Sequence, residues 1–235
     1  MATILITGAA QRIGLDIANH FIAKGFQLII TYRTKHDSVV ELAELGAMCL
    51  QCDFEKLGAV DSLVERVKAH TSELRAIIHN ASSWDCESKN PDFNGLFDSM
   101  MNIHAKVPYL LNLALTPLLQ NTNAEHSDII HVTDYVVEKG SPKHIAYAAS
   151  KAALDNLTRS FAAKLAPKVK VNSIAPSLII FNDHDDEAYR VKTLKKSIMA
   201  LEPGTAEVVN GVEMILNSNY MTGRTLQLDG GRHLK

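Results

Sequence analysis

Thr3-Ile4-Leu5-Ile6-Thr7-Gly8-Ala9-Ala10-Gln11-Arg12-Ile13-Gly14 is a β-branched apolar run that breaks at a glycine and resumes with helical spacing. The pattern predicts a strand over Thr3–Thr7, a tight turn, and a helix over Arg12–Lys24 closed by Gly25. Gly8 permits the turn and Gly14 lets the helix pack closely against it. Backbone N–H groups at such a helix start, aided by the positive end of the helix dipole, suit the pyrophosphate of a dinucleotide. Glycine spacing alone fits an ordinary strand-to-helix turn equally well, so the reading depends on motifs further along the chain.

Further strand-like runs occur at Gln27–Tyr32, Ala47–Cys52, Ala76–His79, Asp128–Val132, Val169–Ile174 and Thr225–Leu228. Most are near-continuously apolar, as strands buried on both faces of a parallel sheet are. Helical periodicity marks Gly58–Thr71, Leu96–Leu119, Ile145–Leu165 and Thr205–Leu216 between them. The alternation predicts an α/β fold: one Rossmann-type, doubly wound parallel sheet with helices on both faces. No repeat, low-complexity tract or flexible linker divides residues 1–235, so one domain is expected. Phe181–Ser197 is polar, charged and follows a strand, and reads as a substrate loop over the carboxyl edge of the sheet.

Composition removes several function classes. A formal net charge of -2 with both signs interspersed gives no basic field for nucleic acid or anionic membrane. No apolar run approaches the roughly 20 residues of a membrane span. The N-terminus enters a strand without a secretory signal, and three cysteines suit reduced thiols, so a cytoplasmic protein is expected. Cys49 and Cys52 have C-x-x-C spacing, but an offset of three along a strand puts them on opposite faces. The acids among Asn182–Asp186 read as solvated loop residues, and no metal is expected.

Cofactor preference is legible after the second strand. A carboxylate there would hold the ribose 2′-hydroxyl of NAD, yet the chain reads Tyr32-Arg33-Thr34-Lys35, with no acid until Asp37. Arg33 can instead pair with a 2′-phosphate, assisted by Lys35, so NADPH is the expected cofactor. Asp53, after the third strand, is placed to accept from the adenine amino group.

Asn80-Ala81-Ser82 after the fourth strand and Tyr147-Ala148-Ala149-Ser150-Lys151 on a helix complete an ordered set with the glycine turn and Asp53. With this set the chain resembles the short-chain dehydrogenases/reductases along nearly its whole length. Tyr147 and Lys151 lie one turn apart on one helix face, so an ammonium can favour the ionised phenol. The resemblance implies Tyr147 as proton donor and Lys151 as ribose ligand and electrostatic helper. It also implies a cofactor surface of Gly8, Gln11, Arg12, Ile13, Tyr32, Arg33, Thr34, Asp53, Phe54, Asn80, Ala81, Ser82 and Pro176.

Departures from the general pattern point to a narrower resemblance. Arg12 stands where most members have glycine, and Asp134, thirteen residues before Tyr147, stands where most have serine. Together with Asn80-Ala81-Ser82-Ser83-Trp84, these are similar to the pteridine reductase branch. HNASSW (79–84), TDYVVEKGS (133–141), HIAYAASKAALDN (144–156) and LDGGRHL (228–234) narrow it further. They resemble the group that reduces 7,8-dihydromonapterin to its tetrahydro form and acts more weakly on dihydrofolate.

Chemistry points the same way. A flat dihydropterin can stack between nicotinamide and Trp84, with Arg12 and Ser82 on its polar edge. Imine reduction needs a proton at nitrogen, which a carboxyl of raised pKa at Asp134 supplies better than serine; in the plainer reading Asp134 caps a turn. His104 replaces the usual asparagine, and Pro176-Ser177 the usual Pro-Gly. Resemblance further implies a homotetramer through the Leu96 and Ile145 helices. A carbonyl or 3-oxoacyl reductase, or a catalytically silent NADPH-binding protein, are the alternatives the same fold allows.

Overall fold

The computed structural model describes residues 2–235. Its strands are β1 (Thr3–Thr7), β2 (Gln27–Tyr32), β3 (Met48–Gln51), β4 (Ala76–His79), β5 (Ser127–Val132), β6 (Val169–Pro176) and β7 (Thr225–Leu228). All neighbours are parallel, in the order β3-β2-β1-β4-β5-β6-β7. The order reverses between β1 and β4, and a crevice forms at such a switch point, outside the carboxyl ends of the strands.

The helices are α1 (Arg12–Ala23), α2 (Asp37–Glu44), α3 (Ala59–His70), α4 (Phe93–Met101), α5 (Val107–Gln120), α6 (Val136–Lys139), α7 (Ile145–Leu165), α8 (Glu187–Leu194) and α9 (Ala206–Asn217). Strand alternation distributes the core. Ile4 and Ile6 pack with Ile17 and Phe21 of α1 and Val212 and Ile215 of α9. Leu5 faces the other way, with Val67 of α3, Leu111 and Leu115 of α5 and Phe161 of α7. Cys49 and Cys52 divide between these two layers, as their spacing in an extended chain requires.

The expected seven strands are present, β3 shorter than Ala47–Cys52 and β6 running on to Pro176. The long helix expected from Leu96 is instead α4 and α5 joined by a π-helical turn over Asn102–Lys106. Three short helices escaped the sequence reading: α2, α6, and α8 inside the segment read as a loop.

At the amino edge of the sheet, Asp128 is fully buried and bound by both Arg75 and Lys170 (2.8 Å for the lysine). The same cations donate to the last carbonyls of α9, Arg75 to Leu216 (2.8 Å) and Lys170 to Ile215 (3.0 Å). Two positive groups at a helix C-terminus offset both the orphan carbonyls and the negative end of the dipole.

Candidate active site

The turn after β1 is shaped by close approach. A Cβ on Gly8, whose φ is +68°, would lie 2.8 Å from the Ala81 Cα. On Gly14 it would lie 2.4 Å from the Gly8 carbonyl oxygen and 2.5 Å from Asn80 Nδ2. The Asn80 amide donates to the carbonyls of Gly8 (2.8 Å) and Thr7 (3.2 Å). Thr7 Oγ1 accepts in turn from the backbone N–H groups of Asn80 and Ala81. Asn80 thus braces the turn with its amide donors. Gln11, the extended residue before α1, gives no side-chain cap, so the first N–H groups of α1, from Arg12 and Ile13 onward, stay available to an anion.

Arg12 adopts φ +54°, the left-handed region where a side chain is disfavoured. A glycine would meet no such penalty at this position. Its guanidinium crosses to the segment after β6, donating to Asn182 Oδ1 (2.7 Å) and the Ile180 carbonyl (3.3 Å). The residue expected to serve cofactor and substrate therefore also ties the glycine turn to the segment after β6.

Beyond β2 and β3 lies a cleft of about 370 Å³ that contains Arg33, Asp53, Lys56 and Arg66. Gln51 fixes its wall by donating to the Arg33 carbonyl (3.1 Å). Tyr32 is half-buried and Thr34 exposed at the same edge. Phe54 points instead into the core beneath α3, so any part it takes in the cleft belongs to its main chain. Lys56 and Arg66 were not singled out from the sequence. Placing α3 next to Asp53 would have found them.

At the reacting end, β5 delivers Asp134 and α7 delivers Tyr147 and Lys151. The Tyr147 phenol donates to Asp134 Oδ2 (2.9 Å), while Asp134 Oδ1 accepts the Val136 N–H (2.9 Å) that opens α6. One oxygen thus caps the turn, as the plainer reading of Asp134 has it, and the other meets the phenol. Burial raises the Asp134 carboxyl above the usual range, against the lowering influence of the Val136 N–H, Tyr147, Lys151 and Arg232. Burial, then the facing carboxylate, pushes the Tyr147 phenol well up. Lys151 Nζ donates to the Val132 carbonyl (2.8 Å) and stands 5.7 Å from the Tyr147 ring centroid; burial lowers it to about 8. The expected pull of Lys151 on the phenol is thus outweighed: Tyr147 is held protonated.

Trp84 is 56% exposed and packs its ring 4.7 Å from that of His144, just before α7. Glu87 anchors its loop by accepting the Ala146 N–H (2.8 Å). Pro176 ends β6, and its carbonyl accepts the Tyr135 N–H (3.1 Å) beside Asp134. In the acidic run, Asp186 caps α8 by accepting the Tyr189 N–H, and Asp185 accepts the Asn182 N–H within the loop.

A family model described as enoyl-(acyl carrier protein) reductase matches residues 8–233. The chain is 54% identical over 232 residues to the dihydromonapterin reductase of Klebsiella pneumoniae, covering 99% of this chain and 97% of that protein. The chain belongs to the short-chain dehydrogenase/reductase family. Its match to the dihydromonapterin reductase of Escherichia coli O6:K15:H31 has the same identity and coverage. Among solved structures it is similar to FolM alternative dihydrofolate reductase 1 from Brucella canis, complexed with NADP. That likeness has a TM-score of 0.89 at 27% identity, covering all of this chain and 94% of the other.

Two further positions stand out near the Asp134 and Tyr147 pair. His104 falls within the π-helical turn, a local break that often marks a functional position. It is 1% exposed, with Nε2 2.8 Å from Ser82 Oγ, Nδ1 2.8 Å from Ser150 Oγ, and its ring edge-on to Tyr147 at 5.4 Å. Arg232, near the C-terminus, lays its guanidinium 3.9 Å over the Tyr135 ring, next to Asp134. In the sequence Arg232 stands only as part of LDGGRHL; its place beside Asp134 was not readable, because only the tertiary fold carries β7 and the residues after it to this edge.

Proposed function

We propose that the protein reduces 7,8-dihydromonapterin to its tetrahydro form with NADPH, and dihydrofolate more slowly. The dihydromonapterin reductases among its relatives and the NADP-bound FolM neighbours support this reading. The observation that carries it is the 2.9 Å contact between the Tyr147 phenol and a carboxyl of raised pKa where ketone reductases have serine.

The residues fit the cofactor. Gly8 and Gly14 allow the tight packing of the turn that leaves the first N–H groups of α1 uncapped, and the adenosine-end cleft offers Arg33 in place of a 2′-hydroxyl-binding acid. Bound NADPH supplies the hydride to the ring carbon. Arg33 holds the 2′-phosphate, Asp53 the adenine amino group, and Lys151 the ribose beside the nicotinamide. Gln11, Ile13, Tyr32, Thr34, Phe54, Asn80, Ala81, Ser82 and Pro176 line the rest of the groove. Trp84 and Arg12 position the pterin, stacking on its face and meeting its polar edge.

The proton reaches the ring nitrogen from Tyr147. When Asp134 is protonated, its O–H donates to the Tyr147 oxygen and frees the phenolic hydrogen to face the substrate. As Tyr147 gives that hydrogen to nitrogen, Asp134 replaces it and becomes a carboxylate, which water reprotonates. A phenol held well above its ordinary pKa of about 10 is too weak an acid to do this unaided. The test is an NADPH oxidation assay over dihydropterins, dihydrofolate and simple ketones. Faster turnover of ketones would replace this reading with a carbonyl reductase.

The exposed Phe93, Phe97 and Tyr109 of α4 and α5, with Ile145 of α7, support a homotetramer built on these helices. Light scattering of the purified chain tests it. Three free cysteines accord with a cytoplasmic setting, which fractionation tests.

A further inference from the structure

We propose that His104 is a positioning residue that fixes the polarity of Ser82, making its hydroxyl a hydrogen-bond acceptor towards the cleft and so favouring a ring that presents N–H groups. The inference rests on the dihydropterin reading for the identity of that ring. It follows from donor accounting along one chain of contacts.

Ser150 Oγ lies 2.8 Å from the Tyr147 carbonyl, which has no hydrogen, so Ser150 donates there and has spent its one proton. Its 2.8 Å contact with His104 Nδ1 must then be donated by the imidazole. A neutral imidazole carries a single N–H, so Nε2 is bare, and its 2.8 Å contact with Ser82 Oγ is donated by Ser82. Burial, reinforced by the Lys151 charge, lowers His104 to about 2, so no second N–H is present near neutrality. Ser82 is itself exposed, so the lone pairs left on its oxygen are open to a ligand, and the His104 ring joins it to Tyr147 through their edge-on contact. An asparagine at position 104 could turn its amide either way; the histidine, locked by Ser150, cannot. A dihydropterin presents an exocyclic amino group and a ring N–H on one edge, and those are the donors such an acceptor takes. The tautomer is thereby assigned from the network.

Nitrogen-15 spectra of the labelled full-length protein with NADPH bound read the tautomer directly. The expected result is His104 protonated on Nδ1 with Nε2 bare; an Nε2–H or doubly protonated ring overturns the proposal. Ser150→Ala removes the serine acceptor from Nδ1, leaving only the Met100 carbonyl near the ring, and should raise the share of the Nε2–H form, while Ser150→Thr should restore the original state. In Ser150→Ala the KM for dihydropterin should rise about threefold to tenfold, the worth of one neutral hydrogen bond, with a smaller change in kcat. A dihydropterin methylated on its amino group and adjacent ring nitrogen should bind the unmodified enzyme more weakly than its parent, and Ser150→Ala should narrow that gap. An unchanged gap also overturns the proposal. Circular dichroism checks folding, and if Ser150→Ala does not fold, the spectrum of the unmodified protein decides alone. Failure of every dihydropterin as substrate would overturn the proposed function while leaving the tautomer result to stand.

Discussion

Replacing Asp134 by Asn separates its two oxygens. The amide oxygen can still accept the Val136 N–H now held at 2.9 Å by Oδ1, so α6 keeps its start. The amide nitrogen meets the Tyr147 phenol, now 2.9 Å from Oδ2, but it cannot give up a proton. Losing a positioned general acid costs about 10² to 10⁴ in rate, or about 3 to 5 kcal/mol of barrier. NADPH consumption under saturating dihydropterin should fall by that factor, while NADPH affinity, read by fluorescence, should hold. The pH profile adds a second readout. A proton donor works only below its own pKa, so activity should decline as pH rises through the raised Asp134 value, and that limb should vanish in the variant. A separate decline near pH 8, where Lys151 loses its proton, should survive. Stability moves the other way. The folded carboxyl has the higher pKa, so the native state binds more protons, and stability is lost as pH rises from the unfolded value through the folded one. Asp134→Asn should therefore melt higher than the parent at neutral pH and converge with it in acid. Near-normal kcat in this variant across the profile would show that Asp134 only caps α6, and the relay would be wrong.

Arg33→Asp removes a charge-assisted contact and should weaken NADPH binding about tenfold to a hundredfold, measured by titration; equal use of NADH by the parent would refute the assignment. Buried His79, bonded to Asn112 at 2.8 Å, is lowered by burial to about 4 from 6.5. Its stabilisation is present above pH 6.5 and lost as pH falls through 4, by about 3 kcal/mol for 2.5 units at 1.36 each. Urea melts of His79→Gln should show a shallower acid decline; an unchanged slope would remove His79 as its cause. Arg12→Gly relieves a left-handed residue worth about 1 to 2 kcal/mol but cuts the tie to Asn182. Its melting temperature should hold or rise while proteolysis near residues 182–190 speeds up, and unchanged cleavage would mean the tie does not hold the segment.

The sheet was legible because strands buried on both faces leave continuous apolar runs, and β1, β2 and β4 stand out by composition alone. Short helices were not, since α2 buries only Val39 and Leu42 and offers too few turns for a period to emerge. Helix α8 hides for a related reason: of its eight residues only Thr193 is buried, so a mostly polar stretch looks like loop. Tyr147, Lys151 and Asp134 were readable because they are joined by α7 and the end of β5, elements with clear local signatures. Arg66 and Arg232 reach the crevice only through packing between distant segments. Arg12 stood out as an unusual residue at a glycine position, but its reach to Asn182 depends on where β6 ends.

The charge cluster of Asp128, Arg75 and Lys170 has a bearing on how this protein could change over time. Asp128 and Asp134 are separated by six residues of extended chain, about 20 Å at 3.3 Å each. Substitutions that far apart with no shared partners usually act additively. Cross-linking β4, β5, β6 and the end of α9 at one pole leaves the opposite pole free to vary. Loops at the crevice can accumulate changes, and with them new ring preferences, while the frame that holds Tyr147 and Lys151 in register stays the same. The charged cluster fixes one end of the strands, and the candidate chemistry sits at the other.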